Sequence, residues 1–241
     1  MAEKIRLNKY ISESGLCSRR QADKLIEQGD ISVNGVRADL GTQVEEGAEV
    51  RYKGKLLKPV KKTVIYAYNK PIGQVCTAAG ADKDSIFHSV TFPERVYYVG
   101  RLDKDSSGLL LLTNDGALAN EIQKARNNHE KEYHVRVNQD ITEHFISAMS
   151  AGVPILDTVT KPCTVRKTGA RTFSIILTQG LNRQIRRMCD YFGYRVVHLK
   201  RVRVMNIRLE GIRPGEYRAL TADEERVLRR MTMSDSNSDK E

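Results

Sequence analysis

The sequence lacks paired cysteines, metal-binding histidine patterns and glycine-rich nucleotide-binding motifs. Its four cysteines form no CxxC pair, which argues against a zinc ribbon or a dithiol redox site and is typical of reduced thiols inside a cell. The five histidines form no HExxH-type pattern, so no metal site is expected. Neither a Rossmann nor a P-loop signature is present, so no cofactor is expected either.

Long apolar stretches are also missing. The longest unbroken aliphatic run is residues 109–112, whereas a membrane helix needs about 20 apolar residues. The first nine residues are polar and charged and contain no apolar signal core. We therefore expect a cytoplasmic protein with no membrane partner.

Basic residues outnumber acidic ones. Hydrophobic residues make up 40% of the chain and charged residues 29%, with a formal net charge of +10. This composition is that of a globular protein, and its excess positive charge attracts polyanions. Nucleic acid is therefore the leading partner class, while a merely basic enzyme and an acidic membrane surface are weaker alternatives.

Residues 1–57 predict a compact α/β module. A short helix is expected at 7–14, and a Ser-x-x-Gln capping box at Ser18 begins a second helix. The Asn34-Gly35 pair predicts a tight hairpin between the short strands that follow. Residues 58–63 contain proline and repeated lysine, and they predict an extended linker.

Several basic residues of this module are candidates for phosphate contacts. Positive charge disfavours a helix N-terminus, yet Arg19 and Arg20 begin the second helix. Their position indicates contact with phosphates, although an ordinary solvated charged face explains it equally well. The predicted RNA-binding set of the module is Arg6, Lys9, Arg19, Arg20 and Lys24.

Residues 64–232 predict a larger domain, followed by a tail at 233–241 that is expected to be disordered. Strand and helix signals mix without a regular βαβ repeat. This order favours an α+β fold with a largely antiparallel mixed sheet flanked by helices. The predicted helices include 118–125, 141–149 with Asp140 as its cap, and one that is capped by Asn182 and ends near Phe192.

The helix after Asn182 carries a dense basic patch. Its apolar positions 185, 188, 189 and 192 share one predicted buried face. At about 100° per residue, Arg183 and Arg187 point away from that face, and Gln184 and Arg186 lie at its two edges. Between 183 and 203, seven basic residues stand against one acid. This concentration favours an RNA-facing surface.

A polar loop precedes the aliphatic strand predicted at 109–112. Loops held by rigid strands often carry catalytic groups, and this loop contains Asp103 and Asp105. The residues alone do not distinguish one aspartate from the other. Taken by itself, the pattern favours a purely structural loop.

Four motifs in this larger domain resemble those of RNA pseudouridine synthases. The loop motif Gly100-Arg101-Leu102-Asp103, followed by Ser106 and Gly108, is similar to the family's catalytic motif, in which threonine is frequent at the position of Ser106. The N-terminal module resembles S4-type RNA-binding domains. The combination of such a module with these motifs indicates the branch of the family that modifies ribosomal RNA. The resemblance covers residue 6 to about 228. The other matching motifs are Asn69-Lys70-Pro71-Ile72-Gly73, Lys131-Glu132-Tyr133 and residues 180–188.

The resemblance implies a role for each matching residue. Asp103 is the expected catalytic carboxylate, Tyr133 an active-site tyrosine and Arg186 the arginine that pairs with Asp103. The implied reaction turns uridine into pseudouridine after the base leaves its stack, and Asp103 is open to two roles, nucleophile or base. The RNA-binding residues expected in this domain are Lys70, Arg101, Arg183, Gln184 and Arg187.

Finer details resemble family members that act on large-subunit (23S) ribosomal RNA. These details are residues 182–188 and the segment Gly152-Val153-Pro154-Ile155. A monomer is expected to act on a 23S stem-loop, free or in an assembling large subunit, with a transfer RNA as a further candidate. A non-catalytic assembly factor and an RNA-acting hydrolase are the alternatives, and neither explains Asp103, Tyr133 and Arg186 together.

Overall fold

The computed structural model describes residues 4–60, 62–77, 82–124 and 127–234. The chain divides into two units, Met1–Thr63 and Val64–Glu241, and each is described by itself. Within the described ranges, none of the helices has the length and apolar character that crossing a membrane requires.

The N-terminal unit consists of two helices and short antiparallel strands. One sheet has the order β3-β2-β5-β6, and β1 pairs with β4. Its apolar core includes Leu7 and Ile11 from the first helix and Ala22 and Ile26 from the second. The elements are β1 (Ile5–Arg6), α1 (Leu7–Glu13), α2 (Arg19–Glu27), β2 (Ile31–Val33), β3 (Val36–Arg37), β4 (Gln43–Val44), β5 (Val50–Tyr52) and β6 (Lys55–Leu57).

Two local predictions for this unit are confirmed. The side chain of Ser18 accepts a hydrogen bond from the backbone N–H of Gln21, and the Gln21 side chain accepts one from the backbone N–H of Ser18. Asn34 and Gly35 both have positive φ angles, as a tight turn between two antiparallel strands requires. These features depend on neighbours along the chain, which is why the sequence pattern identifies them.

The larger unit contains a mixed sheet flanked by helices. Its elements are β7 (Ile65–Lys70), α3 (Ile86–Ser89), β8 (Tyr97–Val99), β9 (Ser107–Thr113), α4 (Gly116–Gln123), β10 (Lys131–Val137), α5 (Glu143–Ala151), β11 (Pro154–Ile155), β12 (Thr158–Val159), β13 (Thr164–Gly169), β14 (Thr172–Leu177), α6 (Gln184–Tyr191), β15 (Val196–Val204), β16 (Ile207–Arg208), β17 (Tyr217–Ala219) and α7 (Ala222–Ser234).

The main sheet has the order β13-β14-β10-β15-β9-β7-β17, with β16 paired to β15 and β8 to β9. Strands β9 and β15 are parallel, whereas the other neighbours along this order are antiparallel among the described residues. The α+β fold with a largely antiparallel mixed sheet is therefore confirmed.

Strand β9 lies at the centre of the core and is buried on both faces. Leu109 and Leu111 pack into one apolar cluster, and Leu110 and Leu112 pack into another. Successive strand residues point to opposite faces of a sheet, and all four leucines are fully buried. Burial on both faces explains why the longest aliphatic run lies here.

Two predicted helix caps are wrong. The residue before α5 is Thr142, whose hydroxyl accepts from the backbone N–H of Phe145, while Asp140 binds Arg171 instead. The helix begins later because Ile141 is buried and its N–H donates to Ala170 O.

At α6, Asn182 does not serve as the cap either. The residue before α6 is Arg183, in the left-handed conformation with a φ of 50°. The Asn182 side chain instead accepts from Arg187, and Gln184 Oε1 accepts from the N–H of Leu181 and closes the turn.

Two predicted helix boundaries also shift. Helix α4 begins at Gly116, after Asp115, whose side chain accepts from the N–H of Leu118; the predicted end at 125 lies outside the described residues. Helix α7 extends to Ser234, so the first two residues of the predicted tail are helical, and 235–241 lie outside the described residues.

Gly108 lies where β9 and β15 approach most closely. It pairs with Arg201 in the parallel register, and its φ is +104°. A Cβ at this position would lie 2.2 Å from Arg201 O. Both the backbone angle and the available space therefore require glycine at the point where the aspartate-containing loop joins the sheet.

We expect Gly108→Ala to lower the free energy of unfolding by about 3–5 kcal/mol, because it adds a backbone clash to the strain of a positive φ. Gly211→Ala is the matched control, since Gly211 has a φ of +74° and open space around its Cβ position. The control should lose only about 1–2 kcal/mol. Denaturant unfolding measures both, and equal losses would show that the clash is absent.

Candidate active site

The loop that connects β8 to β9 carries both candidate aspartates. We call residues 100–106 the carboxylate loop. The loop leads directly into β9, and within it the N–H of Ser106 donates to Asp103 O in a tight turn. Two buried cations from distant parts of the chain hold the loop from other sides.

Lys70 is the first of these cations. It is fully buried at the end of β7, and its ammonium donates to Ser106 O at 2.7 Å and to Pro71 O at 3.0 Å. Burial lowers the pKa of Lys70, an effect that nearby acidic groups partly offset. The predicted RNA contact of Lys70 is therefore wrong, because the side chain is inaccessible and instead supports the carboxylate loop.

Arg186 is the second cation. Its side chain is only 10% exposed, and its Nη2 donates to Asp105 O at 2.9 Å and to Ser106 Oγ at 3.2 Å. Nη2 also lies 3.3 Å from Asp105 Oδ2, and Nη1 donates to Val196 O. The predicted pairing with Asp103 is not found, because Asp105 is the carboxylate that faces Arg186 from the loop.

Arg183 is the residue that contacts Asp103. Its Nη1 lies 3.6 Å from Asp103 Oδ2, and its guanidinium also donates two hydrogen bonds to Asp105, at 3.3 and 3.1 Å. The side chains of Arg183 and Asp103 are 42% and 37% exposed, so solvent screens their attraction. Arg183 therefore links the two carboxylates at the surface of the loop.

Asp105 is the more strongly engaged of the two aspartates. Partial burial raises its pKa, but the hydrogen bonds from Arg183 and the charges of Arg186 and Arg183 outweigh burial and hold the pKa below its usual value. The Asp105 carboxylate is thus committed to two arginines, whereas Asp103 makes one long contact.

A cavity of about 370 Å³ lies beside Asp103. This size is within the range of small-molecule sites, roughly 300–1,000 Å³. Its wall combines the carboxylate loop, β10, β15 and the segment that leads into α6. The side chains most relevant to chemistry are Asp103, Lys131, Tyr133, Leu177, Arg183, Leu199 and Arg201.

The structure brings Tyr133 and Asp103 to this one cavity, as the sequence motifs implied. Tyr133 is half-buried on β10 and packs against two apolar clusters. Its ring provides a flat surface and its hydroxyl a group that can exchange a proton. Within the described ranges, no group of three or more metal-ligating side chains could hold an ion.

The remaining predicted RNA contacts of this unit divide into two groups. Arg101 and Arg183 are exposed and lie in the cavity wall, and Arg187 is exposed on α6. Gln184 is different, because only 4% of it is exposed and its amide binds Leu181 and Met188. Gln184 also lines the cavity, so it helps to shape the cavity wall, and its RNA contact stays a prediction.

The basic residues of the N-terminal unit have the exposure that RNA contact requires. Arg6, Arg19, Arg20 and Lys24 are exposed, and Lys9 is half-buried. Lys9 lies 3.7 Å from Glu13, and Arg19 donates to Asn8. The exposed guanidiniums on α2 are accessible to an approaching phosphate.

Sequence reasoning missed Arg201 as a residue of the cavity. Arg201 shares the inward face of β15 with Leu199 and is only 3% exposed. The signal was available in principle, because alternation along a strand places residues 199 and 201 on the same face. A charged residue at an inward position is unusual and indicates a special environment.

Comparisons with known proteins identify both parts of the chain. A family model described as RNA pseudouridylate synthase matches residues 64–191, and an S4 domain model matches 5–50. The dual-specificity RNA pseudouridine synthase RluF of Escherichia coli K12 is 55% identical over 222 residues, which cover 91% of this chain and 77% of that protein.

Two further matches extend over nearly the whole chain. Ribosomal large subunit pseudouridine synthase B of Bacillus subtilis is 32% identical over 245 residues, which cover 97% of this chain and 99% of that protein. A crystal structure of a pseudouridylate synthase superposes with a TM-score of 0.69 at 29% identity, covering 93% of this chain and 99% of the other.

We expect Arg186→Ala to lower the free energy of unfolding by about 3–5 kcal/mol, because it removes a buried cation that pairs with Asp105 and donates to Asp105 O, Ser106 Oγ and Val196 O. Arg187→Ala is the matched control on the same helix. Arg187 is exposed, and among the described residues its guanidinium hydrogen-bonds to Asn182, so the control should lose less than about 0.5 kcal/mol. Denaturant unfolding of both variants tests this, and equal stability would contradict the supporting role of Arg186.

Proposed function

We propose a substrate and residue roles for this chain from one premise: it belongs to the RNA pseudouridylate synthase family. The chain is an RNA pseudouridine synthase, an isomerase that converts uridine to pseudouridine in ribosomal RNA. The observation that carries our proposal is the cavity that joins the Asp103 carboxylate, the Tyr133 ring and a cationic wall.

Asp103 is the proposed catalytic carboxylate. Breaking the bond between uracil N1 and ribose C1′ builds positive character on the sugar, and a nearby carboxylate stabilises that charge. Asp103 is suited to this role because it lines the cavity, while Asp105 is occupied by Arg183 and Arg186. Arg183, at 3.6 Å, partly compensates the negative charge of Asp103 before substrate arrives.

Tyr133 is the proposed contact for the extruded base. A uridine must leave its stack before its glycosidic bond can be reached. Stacking on an aromatic side chain is worth about 1–3 kcal/mol per base, and the half-buried ring of Tyr133 lies in the cavity wall. We propose that its hydroxyl exchanges the proton that C5 loses after the new carbon–carbon bond forms.

We propose a 23S stem-loop as the target, free or in an assembling large subunit. The B. subtilis relative is described as acting on the large ribosomal subunit, and the E. coli relative is described as having dual specificity. Because that relative is described as having dual specificity, we propose a transfer RNA as a second substrate. We also propose that the chain acts as a monomer in the cytoplasm, where that RNA is found.

The N-terminal unit is the proposed RNA-binding module. We propose that residues 1–57 bind RNA, that residues 58–63 link the two units, and that residues 64–232 catalyse the isomerisation. The exposed side chains of Arg6, Arg19, Arg20 and Lys24 favour binding to phosphates, and phosphate contacts fix position rather than select sequence. Selection of the uridine is then left to the cavity, where Arg101 and Arg183 are exposed.

Nucleoside mapping of ribosomal RNA tests the proposed reaction. We expect at least one pseudouridine of 23S RNA to disappear in cells lacking the protein and to return with the wild-type gene. Asp103→Asn should not restore it, because the neutral amide cannot stabilise the charge on the sugar. Asp105→Asn should restore it at least in part, because Arg186 keeps its bonds to Asp105 O and Ser106 Oγ.

This pair of variants is matched in charge and lies within one loop, so it separates the two aspartates. Binding of a 23S transcript to purified Asp103→Asn protein is the control for folding and should match the wild type. The assignment would be contradicted if Asp103→Asn restored the pseudouridine. It would also be contradicted if Asp105→Asn were the only one of the two variants that failed to restore it.

Salt dependence tests the role of the N-terminal unit. Arg20→Ala should weaken binding to a 23S transcript and reduce the slope of log K against log salt by about one, as expected for one lost phosphate contact. Lys53→Ala is the control in the same unit, because it removes the same charge from a side chain that pairs with Asp30. Equal slopes for the two variants would argue against a specific contact by Arg20.

A further inference from the structure

Arg201 is a buried cation in the cavity wall with incomplete hydrogen bonding. Its Nε donates to Leu109 O at 2.7 Å, but its Nη2 is buried and has no hydrogen-bond partner in the described part of the chain. Buried charged donors are normally paired, because burial removes their water. Because Arg201 lines the cavity beside Asp103, a ligand bound there can supply the missing acceptor.

Lys131 places a second cation in the same cavity. It lies on β10, which pairs with β15, and its ammonium donates to His129 O at 3.1 Å. The side chain is partly buried, and burial followed by the charge of Arg201 lowers the pKa of Lys131 to about 8. The fold thus keeps two cations near each other, although repulsion between them makes it less favourable for each to carry its charge.

The reaction itself produces the charge that these cations match. When the N1–C1′ bond breaks, its electron pair leaves with uracil, and the negative charge spreads over N1, O2 and O4. After the ring turns, C5 bonds to C1′, C5 loses its proton and N1 gains one, so the isomerisation has no net change of atoms or electrons. A carboxylate can stabilise the positive charge on the sugar but not the negative charge on the uracil.

We propose that Arg201 and Lys131 bind the carbonyl oxygens of the detached uracil and act as catalytic residues that stabilise its negative charge. This inference rests on the proposed function of the cavity beside Asp103. Fixed cations aimed at developing charge need little reorganisation during the reaction, and a low-dielectric wall strengthens their effect. The two halves of the broken bond thus meet opposite charges, Asp103 on the sugar side and the cation pair on the base side.

Burial and neighbours favour a base rather than a phosphate as the ligand of this pair. Arg201 is only 3% exposed, and the same wall contains the apolar side chains of Leu177 and Leu199. A flat, partly apolar ring fits such a wall, whereas a phosphate on the RNA surface would meet exposed cations such as Arg183 first. A phosphate contact remains distinguishable, since it would affect RNA affinity as well as rate.

The test compares charge-removing with charge-keeping variants of the full-length protein. Lys131→Met and Arg201→Met remove a charge, and Lys131→Arg keeps it. The rate is single-turnover tritium release from a 23S transcript labelled at uridine C5, and the affinity for the same transcript is measured in parallel. We expect each methionine variant to react about 10²–10³ times more slowly, with affinity within about twofold, because the charge exists only after bond breaking begins.

The pH profile provides a second readout that a structural role would not alter. Lys131 is protonated below its pKa of about 8 and loses its charge above it, so the wild-type rate should fall as pH rises through about 8. Lys131→Arg should retain its rate over that range, because arginine stays protonated. The titratable and charged groups that share this cavity wall with Lys131 are Arg101, Asp103, Tyr133, Arg183 and Arg201.

The outcomes separate this inference from the proposed function. If Asp103→Asn is inactive while Lys131→Met reacts at the wild-type rate, only the inference fails. If Asp103→Asn is active, the proposed function of the cavity fails. Equal losses of rate and affinity in Lys131→Met would assign the pair to RNA phosphate and overturn the inference. Thermal melting controls for folding, and if Arg201→Met does not fold, the Lys131 variants and their pH profiles decide.

Discussion

The attachment of the carboxylate loop to two buried cations is the interaction on which the site depends. Lys70 reaches Ser106 O from β7, and Arg186 reaches Asp105 O and Ser106 Oγ from α6. The buried carbonyls need donors, and the two cations supply them from residues 36 and 81 positions away in sequence. The loop can present Asp103 to the cavity only because its other end is held in this way.

The central sheet explains why these distant residues meet. Strand β9 is covered on both faces and pairs in parallel with β15, with Gly108 against Arg201. This close pairing brings the end of the carboxylate loop next to the inward face of β15. Strand β10 pairs with β15 on its other side, so Lys131 and Tyr133 join the same wall. One parallel contact in a largely antiparallel sheet therefore assembles the cavity.

The arginines divide their tasks according to burial. Arg186 is buried and supports the backbone, whereas Arg183 is exposed and contacts both Asp103 and Asp105. An exposed guanidinium can exchange a carboxylate for a phosphate at low energetic cost, because water already screens its charge. One segment of the chain thus provides both a buried arginine that supports the loop backbone and an exposed arginine that contacts the loop carboxylates.

The sequence by itself determined what depends on neighbouring residues: the capping box at Ser18, the turn at Asn34-Gly35, the buried strand at 109–112 and the family motifs. These signals act over a few positions, so a linear pattern contains them. It also indicated the α+β class, because the order of elements limits the possible sheets.

Only the tertiary structure decided that Arg183 rather than Arg186 contacts Asp103, that Lys70 and Gln184 are buried, and that Arg201 enters the cavity. Each of these outcomes depends on which distant side chains pack together. The energy of a buried ion depends on its surroundings in space, and a linear pattern does not contain that information.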